Sequence, residues 1–303
     1  MKHFKNYTPI TAMPCRNSET YVEIEPCAAL KPYIRCFWGS KDIYTQNAGV
    51  AADSVVVPDT CMDIIFTVNY TGNSLSGSFC GIDDKAFWVN GRKEKNERLS
   101  VFAIRFYAWS AVLFAEESMR ACRNFCGDAS VYFSWLVRAL KQELWEKAAI
   151  GERVRLAEAA LLQRMDLRRE DSVFMDAVAE ILSRRGALRM QELARDIHVS
   201  DRQLQRVFRE NMGVSPKTFA SLVRYQNLWR DILTSPGRRI MDEVCLLQYT
   251  DQAHLCREFK RYHGMTIPQA CALAGKSVAF LQDRIGRSGY NGTTYFDKED
   301  FPL

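Results

Sequence analysis

MQELARDIHVSDRQLQRVFRENMGVS, residues 190–215, and MDEVCLLQYTDQAHLCREFKRYHGMT, residues 241–266, are two copies of one pattern. At an offset of 51, Met190 falls on Met241, Glu192 on Glu243, Leu193 on Val244, Leu204 on Leu255, Arg206 on Arg257, Phe208 on Phe259, Arg209 on Lys260, Gly213 on Gly264 and Ser215 on Thr266. Repetition at such a period marks a supersecondary unit used twice. Each copy reads as a short amphipathic helix (Met190–Ile197; Ile240–Leu246), a tight turn and a second helix. Ser200 opens the second helix in the first copy and Asp251 in the second; each offers a side-chain oxygen to the free N–H groups of the first turn. The pattern is that of a helix-turn-helix.

The second helices carry the chemistry. In the first copy Leu204, Val207 and Phe208 share one face at helical spacing, and Arg202, Gln203, Gln205, Arg206 and Arg209 project from the others. Arginine can donate two hydrogen bonds to a guanine edge and glutamine can bridge an adenine edge, and a whole helix fits the major groove of DNA. In the second copy Leu255 and Phe259 form the core side; Ala253, His254, Cys256, Arg257 and Lys260 face outward, giving a weaker and more apolar reading surface. A single helix of this kind would read equally well as a solvated face; two in register point to double-stranded DNA.

The run Leu193-Ala194, Val199-Ser200, Leu204-Gln205-Arg206-Val207-Phe208-Arg209, Gly213-Val214-Ser215-Pro216, then Arg224, Ile232-Leu233, Phe259-Lys260 and Gly264-Met265-Thr266, resembles the DNA-binding domain of AraC-family transcription regulators over about 90 residues, 186–274. The resemblance implies two recognition helices that read successive major grooves. Two positions depart from the family pattern. Gln248-Tyr249 stands where a Gly-Phe pair is usual, which asks a non-glycine residue to adopt positive φ. Ile267 intervenes between Thr266 and Pro268, which bears on how the chain leaves the second motif.

Between the motifs, Ser215-Pro216 is a helix opening and Thr234-Ser235-Pro236-Gly237 a stop. The connector between them should be one helix whose apolar series, Phe219, Leu222, Val223, Leu228, Trp229, Ile232 and Leu233, packs against both motifs. Trp229 is assigned to core and not to base stacking.

Charge follows the same division. Of the net +5, residues 186–275 contribute 13 basic against 9 acidic side chains, a modest patch that two copies in a dimer would double. No segment has the length and apolarity of a membrane span or the pattern of a signal peptide, so a cytoplasmic protein is expected. In that compartment the ten cysteines read as small buried hydrophobes. Cys122 and Cys126, whose i,i+4 spacing would place two thiols on one face of a helix, read as packing, with a thiol sensor as the alternative; a helix is expected over Glu116–Asn124. Four histidines and no CxxC pair leave a metal site without support.

Residues 21–114 have a different texture, with short β-prone runs at Tyr33–Trp38, Ser54–Val57, Asp63–Asn69, Ser78–Gly81 and Val101–Tyr107, and turn signals at Gly72-Asn73, Gly77 and Asn90-Gly91. They imply an antiparallel sheet or small barrel. The run Pro58-Asp59-Thr60-Cys61-Met62-Asp63-Ile64-Ile65-Phe66, with Phe102–Phe106, is similar to a poorly characterised N-terminal domain often joined to AraC-type motifs. The aromatics Phe37, Trp38, Phe66, Phe79, Phe87, Trp88, Phe106 and Trp109 either line a ligand cavity or fill the interior. Asp63 and Arg105 are either a buried pair or two outward charges, with alternation favouring the latter. Helices are expected over Val131–Ala148, Glu152–Met165 and Ser172–Arg184; the stripe Leu136, Leu140, Leu144 serves either a second subunit or the sheet. Tyr290, Tyr295, Phe296 and Phe301 suggest that the tail docks on something.

The expected fold is α+β and multidomain. A β-rich, barrel-like sensory or assembly domain (1–115) leads through a helical connector or dimerisation segment (116–170) to an all-α DNA-binding domain with two helix-turn-helix motifs (171–275) and an irregular tail (276–303). The expected function is promoter recognition under control of a small-molecule effector or partner at the N-terminal domain, in a homodimer, with RNA polymerase as a further candidate partner, no cofactor and no membrane. A partner-binding antagonist with degenerate DNA reading is the runner-up. A thiol-dependent enzyme is the rival from another class, although no nucleophile–base grouping stands out.

Overall fold

The computed structural model describes residues 7–12, 21–47, 54–89, 96–235 and 239–275. Asn90-Gly91, Pro236-Gly237 and the tail from residue 276 lie outside the described residues. The N-terminal part is built on β1 (Tyr21–Ile24), β2 (Ile34–Ser40), β3 (Tyr44–Gln46), β4 (Ser54–Val56), β5 (Cys61–Asn69), β6 (Ser74–Cys80), β7 (Phe87–Val89), β8 (Glu97–Tyr107) and β9 (Cys126–Asp128). Seven of these form one antiparallel sheet in the order β1-β2-β8-β5-β6-β9, with β3 also on β8, while β4 pairs with β7. Among the described residues the sheet is open, with β1 and β9 at its edges, and does not close into a barrel.

Strict alternation along β5 explains which face is covered. Met62, Ile64, Phe66 and Val68 are buried, and Asp63, Ile65, Thr67 and Asn69 lie on the other face. Facing them inside are Phe102, Ile104 and Phe106 of β8, with Phe37 of β2 and Phe79 of β6. The interior rings fill the space against one another: Phe37 stacks on Phe102 (6.1 Å), and Phe133 stacks on Phe106 (5.8 Å) and meets Phe79 edge-on (5.0 Å). Phe87 and Trp88 are exposed, and Trp38 is half-buried on the outward sheet face, so the expectation of a common aromatic lining fails for these three. β7 pairs only with the short β4 and leaves the Phe87 and Trp88 rings uncovered.

Phe133 belongs to α1 (Ser130–Glu146), which packs on β6 and directs Leu136, Leu140 and Leu144 into the core. That apolar stripe therefore serves the sheet, one of the two roles open to it from sequence. α2 (Ile150–Arg164) packs back on α1 through Val154, Ala157 and Leu161. Its Arg153, 1% exposed, holds the end of α1 by donating to the carbonyls of Leu144 (2.8 Å) and Lys147 (2.6 Å), and it also donates to Ser100 Oγ (2.7 Å).

The helix expected over Glu116–Asn124 does not form. A single 3-10 turn, Met119–Ala121, is followed by extended chain and β9. Three constraints from elsewhere override the local spacing: Asn124 adopts φ 53, its N–H donates to Ile82 O (2.9 Å), and β9 pairs with β6. Cys122 and Cys126 accordingly share no helix face. Cys122 is buried against Met212 O (3.2 Å), and Cys126 sits across the β6–β9 pair from Cys80, sulfur to sulfur 3.1 Å. Asp63 and Arg105 lie on the outward sheet face as alternation indicated, yet they are paired there: Arg105 donates to both Asp63 oxygens (2.9 and 3.0 Å), and Trp38 Nε1 donates to Asp63 (2.8 Å).

The C-terminal part is helical: α3 (Ser172–Ser183), α4 (Met190–Asp196), α5 (Asp201–Met212), α6 (Pro216–Thr234), α7 (Ile240–Leu246), α8 (Gln252–His263) and α9 (Ile267–Leu273). The 19-residue α6 runs through its middle with Phe219, Leu222, Val223, Tyr225, Leu228, Trp229 and Ile232 all at most 1% exposed. At ~1.5 Å per residue it spans about 28 Å. The two parts share one core. Gln226 accepts from Ile10 N–H (2.8 Å) and donates to Pro58 O (2.7 Å), Trp229 Nε1 donates to Thr11 O (3.0 Å), and Trp109 meets Phe219 edge-on (6.2 Å).

Candidate nucleic-acid interface

Both recognition helices are held by the same local devices. Ser200 accepts the N–H of Gln203 (3.2 Å) at the start of α5, and Asp251 accepts that of His254 (2.6 Å) at the start of α8. Both end at a left-handed glycine, Gly213 (φ 79) and Gly264 (φ 76), a backbone conformation that other L-residues enter only at a cost. Ser215 and Thr266 then cap the helices that follow, α6 and α9.

The 51-residue offset holds for these second helices but not for the first ones. Here the expected pairing of Met190 with Met241, Glu192 with Glu243 and Leu193 with Val244 is one residue out. α4 and α7 begin at Met190 and Ile240, and the closing bonds Val199 N–H to Ala194 O and Tyr249 N–H to Val244 O are also 50 apart. The turn of the second motif is longer by one residue, because five residues separate α7 from α8 and four separate α4 from α5. Fully buried Glu243 consequently stands where the first motif has fully buried Leu193.

The two departures from the family pattern are absorbed. Gln248 adopts φ 53, as His198 does at φ 58 in the first motif. Ile267 becomes the first residue of α9 and Pro268 the second, behind a Thr266–Gln269 capping box. Tyr249 is buried, donates to Glu258 Oε1 (2.8 Å) and lies under the Arg224 guanidinium, 4.4 Å from its ring centroid. Arg224 in turn donates to Glu258 (3.0 and 2.6 Å), which ties α6 to α8. His263, on the inner side of α8, stacks on Phe259 (4.7 Å) and is hydrogen-bonded through Nδ1 to the Tyr225 hydroxyl (2.8 Å); burial lowers its pKa to about 4, so it is neutral at physiological pH.

The outward faces differ in what they offer. On α5, Arg202, Arg206 and Arg209 are exposed and Gln203 and Gln205 half-exposed. Arg202 and Arg209 have no hydrogen-bond or ion-pair partner among the described residues, and Arg206 pairs only with Glu210 (3.1 Å). On α8, Ala253, Arg257 and Lys260 are exposed, His254 lies edge-on to Tyr249 (5.4 Å), and Cys256 is half-buried with its thiol pKa pushed up by burial.

The structure brings Ser200, Arg202, Gln203, Gln205, Arg206 and Arg209 together along one open groove of about 1150 Å³, and it adds Arg120, Ala121 and Arg123 from the N-terminal part as the opposite wall. The α8 residues do not join that groove. Sequence reasoning missed Arg120 and Arg123, and no local signal marks them, since their neighbours in space are some 80 positions away in the chain.

The same part of the N-terminal unit also touches both recognition helices at their ends. Met119 and Cys122 abut Gly213, and Ala86 abuts Gly264. The two contact loops are bound to each other: Asn124 Nδ2 donates to Asp84 Oδ1 (2.8 Å) and Arg123 to Asp84 Oδ2 (2.5 Å).

Residues 193–270 match a family model described as a helix-turn-helix domain, and residues 22–128 match one described as a domain of unknown function (DUF6597). No curated protein matches the chain. Among solved structures, ToxT from Vibrio cholerae O395 is similar at 9% identity over 78% of this chain and 98% of that one, TM-score 0.38. The complex of that protein with (E)-4-(8-methylnaphthalen-1-yl)but-3-enoic acid is similar at 10% identity over 78% and 99%, TM-score 0.40. The C-terminal region belongs to the AraC-type helix-turn-helix family, joined to a DUF6597 domain. The chain is a DNA-binding transcription regulator.

Proposed function

We propose that this regulator reads promoter DNA sequence-specifically with α5 and α8 in successive major grooves. Ser200, Arg202, Gln203, Gln205, Arg206 and Arg209 form its main reading surface, and Asp251, Ala253, His254, Cys256, Arg257 and Lys260 form a weaker second one. The observation that carries this reading is the twinned helix, capped at both ends in the same way and presenting arginines outward, of which Arg202 and Arg209 have no partner among the described residues. About 28 Å of connecting helix suits the ~34 Å repeat of the major groove. In this reading residues 1–115 sense, 116–170 connect and 171–275 bind DNA. The protein acts in the cytoplasm as a homodimer, with RNA polymerase downstream. No helix among the described residues is long and apolar enough to cross a membrane.

Control by a small-molecule effector or partner would act through the contacts at Gly213 and Gly264, because an effector can shift DNA affinity only by favouring one arrangement of the two parts over another. The thiol-dependent alternative gains nothing from the structure: burial pushes the Cys36 and Cys122 thiols up to about 12, the opposite of an activated nucleophile.

Selection of bound duplexes from a random pool by the full chain tests the reading and yields an operator. Arg206→Ala should then weaken operator binding by ~1–3 kcal/mol and scrambled-duplex binding far less. Equal losses on both would remove the base-contact role.

A further inference from the structure

The groove beside α5 has one wall that no reading of the helix-turn-helix includes. Arg120 and Arg123 on one side face Arg202, Arg206 and Arg209 on the other, and no carboxylate is among the lining residues. The side chains of Arg120 and Arg123 are 69% and 53% exposed; Arg120 pairs with Glu210 and Arg123 leans one guanidinium nitrogen on buried Asp84, which leaves the rest of each guanidinium open to solvent. Their backbone is fixed: Met119 and Cys122 are seated on the Gly213 end of α5, the Cys122 thiol lies 3.2 Å from Met212 O, and Asn124 N–H is bound to Ile82 O.

Glu210, on α5 beside the groove, shows what these guanidinia attract. One of its oxygens is 3.1 Å from Arg120 and the other 3.1 Å from Arg206, so guanidinia from the two parts of the chain converge on a single anion. A duplex entered by α5 places a row of phosphates along each side of that helix, and guanidinium groups match phosphate oxygens in charge and geometry. We propose that Arg120 and Arg123 hold the DNA backbone alongside α5, so that the DNA-binding surface is composite and the N-terminal part contributes to affinity directly. This rests on the DNA-reading role of α5 and adds phosphate contacts from outside the helix-turn-helix domain.

Phosphate contacts are independent of sequence, so a mixed-sequence 30-base-pair duplex is the probe, titrated by fluorescence anisotropy against the full chain between 50 and 200 mM KCl. Each lost contact should reduce the log–log salt slope by about 0.9, which over a fourfold salt range is about 3.5-fold. The fall in affinity across that range should therefore be about twelvefold smaller for the double variant R120A/R123A than for the wild-type chain. R120K/R123K should keep most of the slope, and E210Q should tighten binding severalfold by releasing Arg120 and Arg206. R155A, which removes an exposed charge on α2, should change neither.

An unchanged slope in R120A/R123A would overturn the proposal. Tighter binding by that variant would overturn it too, and would assign the loop to occlusion of α5. If the wild-type chain fails to bind the duplex even at 50 mM salt, the DNA-reading role falls and the composite surface with it. If it binds and R206A loses operator preference while R120A/R123A behaves as wild type, only the composite surface is refuted.

Discussion

Gly213 and Gly264 occupy the same place in the repeat with nearly the same backbone, φ 79 and 76, and differ in what stands opposite them. Substituting each with alanine separates the local cost of a left-handed residue from the cost of disturbing the contact with the N-terminal part. The local cost is shared: about 1–2 kcal/mol for an L-residue in this region, partly offset by about 0.4–1 kcal/mol from the lost freedom of the unfolded chain. At Gly264 the new methyl would stand 3.3 Å from the Ala86 Cβ, a tight contact that a small adjustment relieves. At Gly213 it would stand 2.6 Å from Met119 O and 2.7 Å from the Cys122 sulfur, and a backbone carbonyl cannot turn aside as a side chain can. The loop must retreat, at a further ~1–3 kcal/mol typical of overpacking. Gly264→Ala should therefore cost about 1 kcal/mol and Gly213→Ala about 2–4 kcal/mol. Equilibrium urea unfolding of the full chain measures both, with the buried Trp109 and Trp229 as reporters. Costs within ~0.5 kcal/mol of each other, the usual scatter for sites that make no special contact, would refute a tight seat of the 119–122 loop on α5.

His263 is held neutral with a pKa of about 4 against 6.5 when unfolded, so its contribution is fully present above pH 6.5 and is lost as pH falls from 6.5 to 4. Over that window the stability gap between the wild-type chain and His263→Gln should narrow by about 3 kcal/mol, and a gap independent of pH would show that the ring is not buried neutral. Arg153→Leu strips the buried carbonyls of Leu144 and Lys147 of their donor, and should cost about 3 kcal/mol in chemical denaturation; a loss under ~1 kcal/mol would mean that water replaces the guanidinium. Gln248→Gly should stabilise the chain by about 0.5–1 kcal/mol, because glycine enters positive φ without strain; a loss of melting temperature instead would count against that account.

The Glu116–Asn124 segment and α6 show how far local reading carries. Both have helical spacing in the sequence. α6 forms because its start is set by Ser215-Pro216 and its apolar stripe has two motifs to pack on, which are features of the segment and its immediate neighbours. In the 116–124 segment Ser118 caps only the single 3-10 turn Met119–Ala121. The segment's backbone hydrogen bonds go to Ile82 and, through β9, to β6, and nothing within nine residues announces partners that lie some 40 positions away. The Leu136–Leu140–Leu144 stripe belongs between these cases. Its existence was legible from spacing, but its partner was not, because an apolar stripe fits a subunit interface as well as it fits a sheet.

What the sequence alone determined is the pair of helix-turn-helix motifs. Caps at Ser200 and Asp251, left-handed glycines at 213 and 264, and the stripes Leu204–Phe208 and Leu255–Phe259 act between residues three or four apart, where chain connectivity already supplies the contact. The tertiary structure alone decided three things. It placed an extra residue in the second turn, it left the sheet open, and it set Arg120 and Arg123 against Arg202, Arg206 and Arg209. Each depends on segments far apart in the chain meeting in one register. Such contacts are fixed by the packing of the whole core, and a linear pattern carries no record of which surfaces that packing brings together.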